Sequence, residues 1–264
     1  MSALRIAVFG LGEAGSLLAA DLAAAGAAVR GYDPAPVATP PGVERVGHPA
    51  AAVDGADLVL AVVSAADAAS AATQALDRIP EGAIYADLGT GSARLKQELA
   101  ALVQPRLRFV DVAMMTTVPG HGLAVPCLAS GPAADAYVAA LGPLGAVVEA
   151  IGAEPGRAAT RKLLRSVVVK GLAGLVIEAV RAARAAGEEE WVWGNIVHQL
   201  SVTDELFLRR LVEGTGVHHE RRLHEMEASA QLLRELGVDP VMTEATVAHL
   251  RAVAVEGVPA LDPG

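Results

Sequence analysis

Residues 5–15 read Arg-Ile-Ala-Val-Phe-Gly-Leu-Gly-Glu-Ala-Gly: a short apolar run breaks into glycines at 10, 12 and 15, and an Ala/Leu-rich stretch follows to Ala25, where Gly26 stops it. A strand must turn sharply into a helix here. Gly10 permits the tight turn, Gly12 lets a diphosphate approach the backbone, and Gly15 allows the helix to pack close on the strand. The helix N-terminus adds free N–H donors and a partial positive charge, so Gly10, Leu11, Gly12, Glu13, Ala14 and Gly15 are the candidate phosphate-cradling residues. A second strand, Ala28–Tyr32, leads to Asp33, about 20 residues beyond the turn, where a carboxylate accepts hydrogen bonds from an adenine ribose. An Asp before a proline also suits an ordinary turn. Asp33 favours NAD over NADP, because a 2′-phosphate would meet like charge there. No arginine follows within the next several residues, and only Arg30 is near enough to swing round.

The same alternation continues down the chain. Short apolar runs at Leu58–Val63, Ala83–Asp87, Arg108–Ala113, Leu123–Ala129 and Ala146–Ile151 predict strands, with helices over Ala65–Arg78 and from Ser92, a capping residue, to Leu102. Repeated βαβ units of this kind give an α/β fold, a Rossmann-type doubly wound and mostly parallel sheet. After Gly156 strand-like runs vanish and helical periodicity takes over, so an all-helical C-terminal domain is expected. The predicted domains are 1–155 and 156–264, the second opening on a long interdomain helix over about 157–187. Leu223, Met226, Ala230 and Leu233 recur at helical spacing, Gly237 punctuates, and Thr243 is placed to cap a last helix.

Composition narrows the function. A formal charge of −9 argues against nucleic acid as partner, since a phosphate backbone needs clustered cations. Cys127 is the only cysteine, which excludes an internal disulfide and fits a reducing compartment, the cytoplasm. No secretory leader is legible at the start, and no metal site is expected. The most apolar stretch, Ser166–Val180, contains Lys170 and Glu178 and falls short of the roughly 20 clean residues of a membrane span; it reads as a buried helix of a protein with no membrane partner.

Several motifs beyond the glycine turn share one pattern: Val62-Val63-Ser64, Asp87-Leu-Gly-Thr90, Phe109-Val-Asp111-Val-Ala-Met-Met-Thr-Thr, Pro126-Cys-Leu-Ala-Ser130-Gly131, Lys162 with Glu178 sixteen residues on, and Arg221-Arg-Leu-His-Glu-Met-Glu. Together they resemble the β-hydroxyacid dehydrogenase and 6-phosphogluconate dehydrogenase superfamily, which includes 3-hydroxyisobutyrate dehydrogenase-like proteins, and in particular its branch with a short helical C-terminal domain of unknown function. The resemblance implies an oxidoreductase exchanging hydride between a nicotinamide and a small hydroxy or oxo acid bearing an anionic group. It also implies a homodimer, with Lys162 as general acid/base and Val63, Ser64 and Thr90 on the nicotinamide-ribose side. The chain departs from the family in three places. Met115, Thr116 and Thr117 stand where a carboxylate-holding Ser-Gly-Gly is usual. Ser166 replaces an Asn four residues after the lysine, and Val169 replaces the acid found in phosphogluconate enzymes. An imine reductase shares this layout, although Lys162 argues against it. A nucleotide-binding sensor or structural subunit without turnover is the other alternative.

Lys162, Ser166 and Lys170, spaced four and four, fall along one helix face. A buried Lys170 would need an anionic partner such as a substrate carboxylate; an exposed one would snorkel. Thr116, Thr117, Ser166 and Lys170 are the candidate substrate-binding residues. His218, His219 and His224 lack zinc-site spacing, and Trp191, Trp193 and His198 either wall a substrate cleft or pack between domains, packing being the preferred reading.

Overall fold

The computed structural model describes residues 3–261. The chain divides into two compact units, Met1–Arg165 and Ser166–Gly264.

The first unit is built on one eight-stranded sheet. Its strands are β1 (Arg5–Phe9), β2 (Ala28–Tyr32), β3 (Glu44–Arg45), β4 (Leu58–Ala61), β5 (Ile84–Asp87), β6 (Arg108–Met114), β7 (Cys127–Ser130) and β8 (Val148–Ala150). Their order is β3-β2-β1-β4-β5-β6-β7-β8. Every pairing is parallel except β6 with β7, where Asp111 lies opposite Ser130. Helices α1 (Glu13–Ala24), α2 (Pro49–Val53), α3 (Ala68–Thr73), α4 (Ala93–Val103) and α5 (Ala134–Leu141) cross between strands. Because β1, β4 and β5 are covered on both faces, their residues read as continuous apolar runs rather than alternating ones. One face of the sheet meets α1 and α5 through Ile6, Val8, Leu18, Leu22, Val110 and Tyr137. The other packs an alanine-rich layer, with Ala7, Ala61, Ala71, Ala72 and Ala100 among Phe9, Tyr85 and Phe109. Small side chains let those helices lie close to the strands.

Several expectations are refined. The two-residue β3, with no apolar run to announce it, pairs Arg45 with Gly31. The strand expected over 123–129 is confined to Cys127–Ser130, because Gly122–Ala124 forms a 3₁₀ turn. The helix expected over 65–78 shortens to α3 and a 3₁₀ turn at Leu76–Arg78. Ser92 caps α4 as expected, accepting the Leu95 amide at 3.2 Å. Helix α6 runs from Arg157 to Ala186. Its opening turn belongs to the first unit, where Ala158 is buried with Ala113 and Ile151.

The second unit contains the remainder of α6 with α7 (Glu189–Ser201), α8 (Glu205–Glu235) and α9 (Val241–Glu256). Ala230 and Leu233 of α8 and Val247, Leu250 and Val253 of α9 are buried. Thr243 does not cap α9, which starts two residues earlier. Instead the Glu178 carboxylate of α6 accepts the Met242 amide at 2.7 Å and the Thr243 amide and hydroxyl at 2.9 and 2.6 Å, satisfying first-turn donors of α9. The stretch expected to be a buried helix is largely exposed, Glu178 apart: Val167 and Val168 are 71% and 70% accessible, and Lys170 is exposed. Among the described residues no helix is long and apolar enough to cross a membrane.

Candidate active site

The glycine turn closes tightly. Gly10 has φ +87°, and a Cβ there would lie 2.3 Å from the Val62 carbonyl oxygen; one on Gly15 would lie 2.0 Å from that of Gly10. Gly12, at the N-cap of α1, has nothing within 4 Å of where its Cβ would stand, and no side chain caps the helix. The first-turn amides therefore border open space that a diphosphate fits, since helix-terminal N–H groups lack intrahelical partners. Leu11 is buried, whereas Glu13 is exposed. The neighbouring βα turns abut this one: Val63 touches the Gly10 position on one side, and its carbonyl oxygen lies 2.6 Å from a Cβ built on Gly89. Three turns thus form one continuous lip along the carboxyl ends of β1, β4 and β5, where ligands bind in open α/β sheets.

Asp33, at the end of β2, accepts the Leu11 amide at 2.7 Å through Oδ2 and the Ala35 amide at 2.8 Å through Oδ1. Each oxygen keeps acceptor capacity for a ribose hydroxyl, so the turn role and the ribose role coexist. Arg30 does not swing round: it pairs with Glu44 at 2.9 Å through Nε and donates from Nη1 to the carbonyls of Ala51 and Asp54. The cation at this turn is Arg45, delivered by β3. Its guanidinium donates to the carbonyls of Asp33 (3.4 Å), Ala35 (2.6 Å) and Val37. It lines an open hollow of about 630 Å³ with Tyr32, Asp33 and Thr39. A search for an arginine next to Asp33 in sequence misses it, because strand pairing supplies the proximity.

Lys162, on α6, donates to Thr90 Oγ1 at 3.0 Å. Thr90 follows β5 and is exposed, as are Ser64, Thr116 and Thr117. Ser64 donates to Asp67 at 2.6 Å. The loop bearing the two threonines is tied to α6 by Arg165, which donates to the Met115 carbonyl at 2.9 Å. Lys162 also acts electrostatically on Cys127: burial pushes the thiol up to about 11, and the lysine's charge opposes that rise. Ser166 is half-buried, and with Lys170 it belongs to the second unit.

Beneath Thr90 lies a buried charge cluster that sequence reasoning missed. Lys96 Nζ stands 2.6 Å from Asp87 Oδ2 and 3.2 Å from Asp111 Oδ1, and donates to the Gly89 carbonyl at 2.6 Å. Burial raises the Asp87 carboxyl from its ordinary range against the pull of Lys96. A signal was present: Lys96, Leu99, Ala100 and Val103 share one helical face, and the only charged member of an apolar row is a buried-lysine candidate.

Comparison with known proteins agrees with this geometry. The NAD binding domain of 6-phosphogluconate dehydrogenase matches residues 5–142, and a domain of unknown function, DUF1932, matches residues 183–253. A 28.5 kDa uncharacterised protein of Methanothermus fervidus, encoded in a 7S RNA 5′ region, is 25% identical over 170 residues, which are 62% of this chain. The chain spans 63% of the length of that curated relative. A conserved protein of unknown function, described as structurally similar to 3-hydroxyacid dehydrogenases, is 27% identical, with TM-score 0.61 over 97% of this chain and 100% of its own. The imine reductase of Myxococcus stipitatus in complex with NADP+ shares the fold at 19% identity, with TM-score 0.84 over 96% and 95% of the two chains. Glycine turn, parallel sheet and family match coincide on the same residues, and the chain belongs to the family defined by the NAD binding domain of 6-phosphogluconate dehydrogenase, with a DUF1932 domain behind it.

Proposed function

We propose that this chain is an NAD(P)-dependent oxidoreductase acting on a small hydroxy or oxo acid that bears an anionic group, with Lys162 as general acid/base. The observation that carries the reading is the Lys162–Thr90 hydrogen bond, which holds an ammonium at the carboxyl edge of the sheet, the edge that also carries the glycine turn. Bound there, the dinucleotide supplies or accepts the hydride. The chain's own residues do the rest. The amides of Gly12, Glu13, Ala14 and Gly15 hold the diphosphate, those of Gly10 and Leu11 being taken by the Tyr32 carbonyl and by Asp33; Asp33 holds the adenine ribose, and Val63, Ser64 and Thr90 line the nicotinamide-ribose side. Lys162 Nζ moves the proton to or from the substrate oxygen, its charged form stabilised by Thr90. Thr116 and Thr117 donate hydrogen bonds to the substrate; Ser166 and Lys170 are assigned to it by their spacing from Lys162. Asp33 supports NAD over NADP, and a homodimer is supported by the exposed apolar stretch of α6.

Reduction of a C=N bond is the second reading. It is favoured by Met115, Thr116 and Thr117 in place of a carboxylate-holding Ser-Gly-Gly, since an imine carries no carboxylate to hold. Turnover measured on paired ketones, hydroxy acids and cyclic imines separates the two. Lys162→Ala is expected to abolish turnover and leave NADH affinity within about twofold of wild type, below the loss of one hydrogen bond. Equal activity in the variant would remove the catalytic assignment, and failure of NADH and NADPH to bind the folded wild type would remove the whole reading.

A further inference from the structure

A lysine that is 1% exposed, packed against two carboxylates that are 1% and 0% exposed, needs a reason. Buried ion pairs are weak sources of stability, and apolar residues of similar size generally serve a core as well or better. What such a network does provide is a fixed geometry, and the partners here run in two directions. Toward β5, the Lys96 ammonium holds the Gly89 carbonyl at 2.6 Å and Asp87 Oδ2 at 2.6 Å, while Asp87 Oδ1 accepts the Gly89 amide at 3.3 Å. The loop so fixed ends in Thr90. Toward β6, the ammonium faces Asp111 Oδ1 at 3.2 Å, and Asp111 Oδ2 accepts the Ala159 amide at 2.9 Å and the Ser130 hydroxyl at 3.3 Å. Ser130 Oγ in turn accepts the Ala158 amide at 2.9 Å. These are amides of the first turn of α6, and Lys162 stands one turn beyond Ala158.

We infer that Lys96, through Asp87 and Gly89 on one side and Asp111 and Ser130 on the other, is a positioning residue that sets the Lys162–Thr90 contact. Both members of that hydrogen bond hang from one buried ammonium: Thr90 by the loop after β5, Lys162 by the capped N-terminus of α6. The ammonium donates to Asp87 Oδ2, the Asp87 carbonyl at 3.3 Å and the Gly89 carbonyl, and its charge holds Asp111 Oδ1 at 3.2 Å as an ion pair, so it cannot move toward one side without weakening the other. A hydrogen bond tolerates only a few tenths of an ångström of drift. If the first turn of α6 slipped on its cap, Lys162 would leave Thr90. The inference rests on the proposed role of Lys162 for its functional meaning, but its geometry stands apart from turnover.

The chain has three lysines, Lys96, Lys162 and Lys170, which makes amine reactivity a clean measurement. Folded protein is treated briefly with limiting acetic anhydride, and acetylation of Lys162 is read against the exposed Lys170 by peptide mass spectrometry. Lys96→Met is the direct variant. Ser130→Ala, which leaves no buried charge unpaired, covers the case in which Lys96→Met does not fold. Thr90→Ala is the positive control and Leu99→Ala, a core truncation on α4 outside the network, the structural control. Expected is a rise of about fivefold in the Lys162 to Lys170 ratio for Thr90→Ala, the worth of one ordinary hydrogen bond. Ser130→Ala, and Lys96→Met where it folds, should show a comparable rise, with no rise in Leu99→Ala despite a lower melting temperature. An unchanged ratio in Ser130→Ala, or an equal rise in Leu99→Ala, would overturn the inference. Because the ratio needs no substrate, a raised ratio in a protein without dehydrogenase or reductase turnover would sink the functional reading and leave the positioning role standing.

Discussion

Asp33 Oδ2 accepts the backbone amide of Leu11 at 2.7 Å, so the carboxylate at the end of β2 pins the turn after β1. Its other oxygen holds Ala35, and the carbonyls of the same loop are gripped by Arg45. The acid and the cation at this end of the sheet are thus both structural members of the loop that an adenine ribose would meet.

Asp33→Asn keeps an acceptor for Leu11 but removes the charge. The affinity ratio of NADPH to NADH is expected to shift toward NADPH by about tenfold, a change on the order of 1.4 kcal/mol, because the repulsion of a 2′-phosphate disappears while Arg45 stays. Fluorescence titration of both nucleotides checks this. A ratio unmoved by the substitution would withdraw the NAD preference.

Glu178 offers a stability test in the second unit. Burial pushes its carboxyl up, but hydrogen bonds from the Thr243 hydroxyl and from the Met242 and Thr243 amides together outweigh burial and hold it below the ordinary 4.5. A lowered folded value means the stabilisation is present above pH 4.5 and is lost as pH falls through the folded value. Glu178→Ala should therefore cost about 1–3 kcal/mol at neutral pH, the penalty for orphaning buried donors. As pH falls from 4.5 through the folded value the gap between variant and wild type should narrow, as followed by urea melts across pH. A gap that persists at low pH would mean that packing, not the carboxylate, fixes the start of α9.

The glycine turn, the order of strands and helices, and the long α6 were legible because each is local: periodicity, glycine spacing and a capping serine speak for themselves. What was not legible depends on pairing. Arg45 reaches the Asp33 loop because β3 lies beside β2, twelve residues of chain away from the acid it joins. Asp111 and Ser130 cap α6 because β7 runs antiparallel to β6, setting those two residues opposite each other. Thr243 was read as a cap from its residue type, whereas Glu178, sixty-five positions earlier, takes that role. The expectation of a buried 166–180 helix followed from its apolar composition, which tells that a surface wants covering and not by what.

That uncovered surface yields a prediction of its own. Val167 and Val168 expose most of their area beside Leu164, itself 65% accessible. Contiguous apolar residues of this size mark an association surface. Wild-type protein should sediment as a dimer at micromolar concentration, and Val168→Glu should shift it to monomer with melting little changed, since the side chain contributes little to the fold of the single chain. A wild-type monomer would dispose of the homodimer.

Cys127 connects the alkaline stability of the chain to the position of Lys162. Burial pushes the thiol up from 9.0 to about 11, and the charge of Lys162 acts the other way. A raised folded value favours the neutral thiol, so its stabilisation is complete below pH 9 and is lost as pH climbs toward about 11, a contribution on the order of 3 kcal/mol. Because the chain has one cysteine, the ¹³Cβ resonance of labelled cysteine follows it without ambiguity. In Lys162→Met burial remains while the opposing positive charge is gone, so the thiol midpoint should rise further. A midpoint that fell or stayed still would place the Lys162 ammonium away from Cys127, whatever the variant did to turnover.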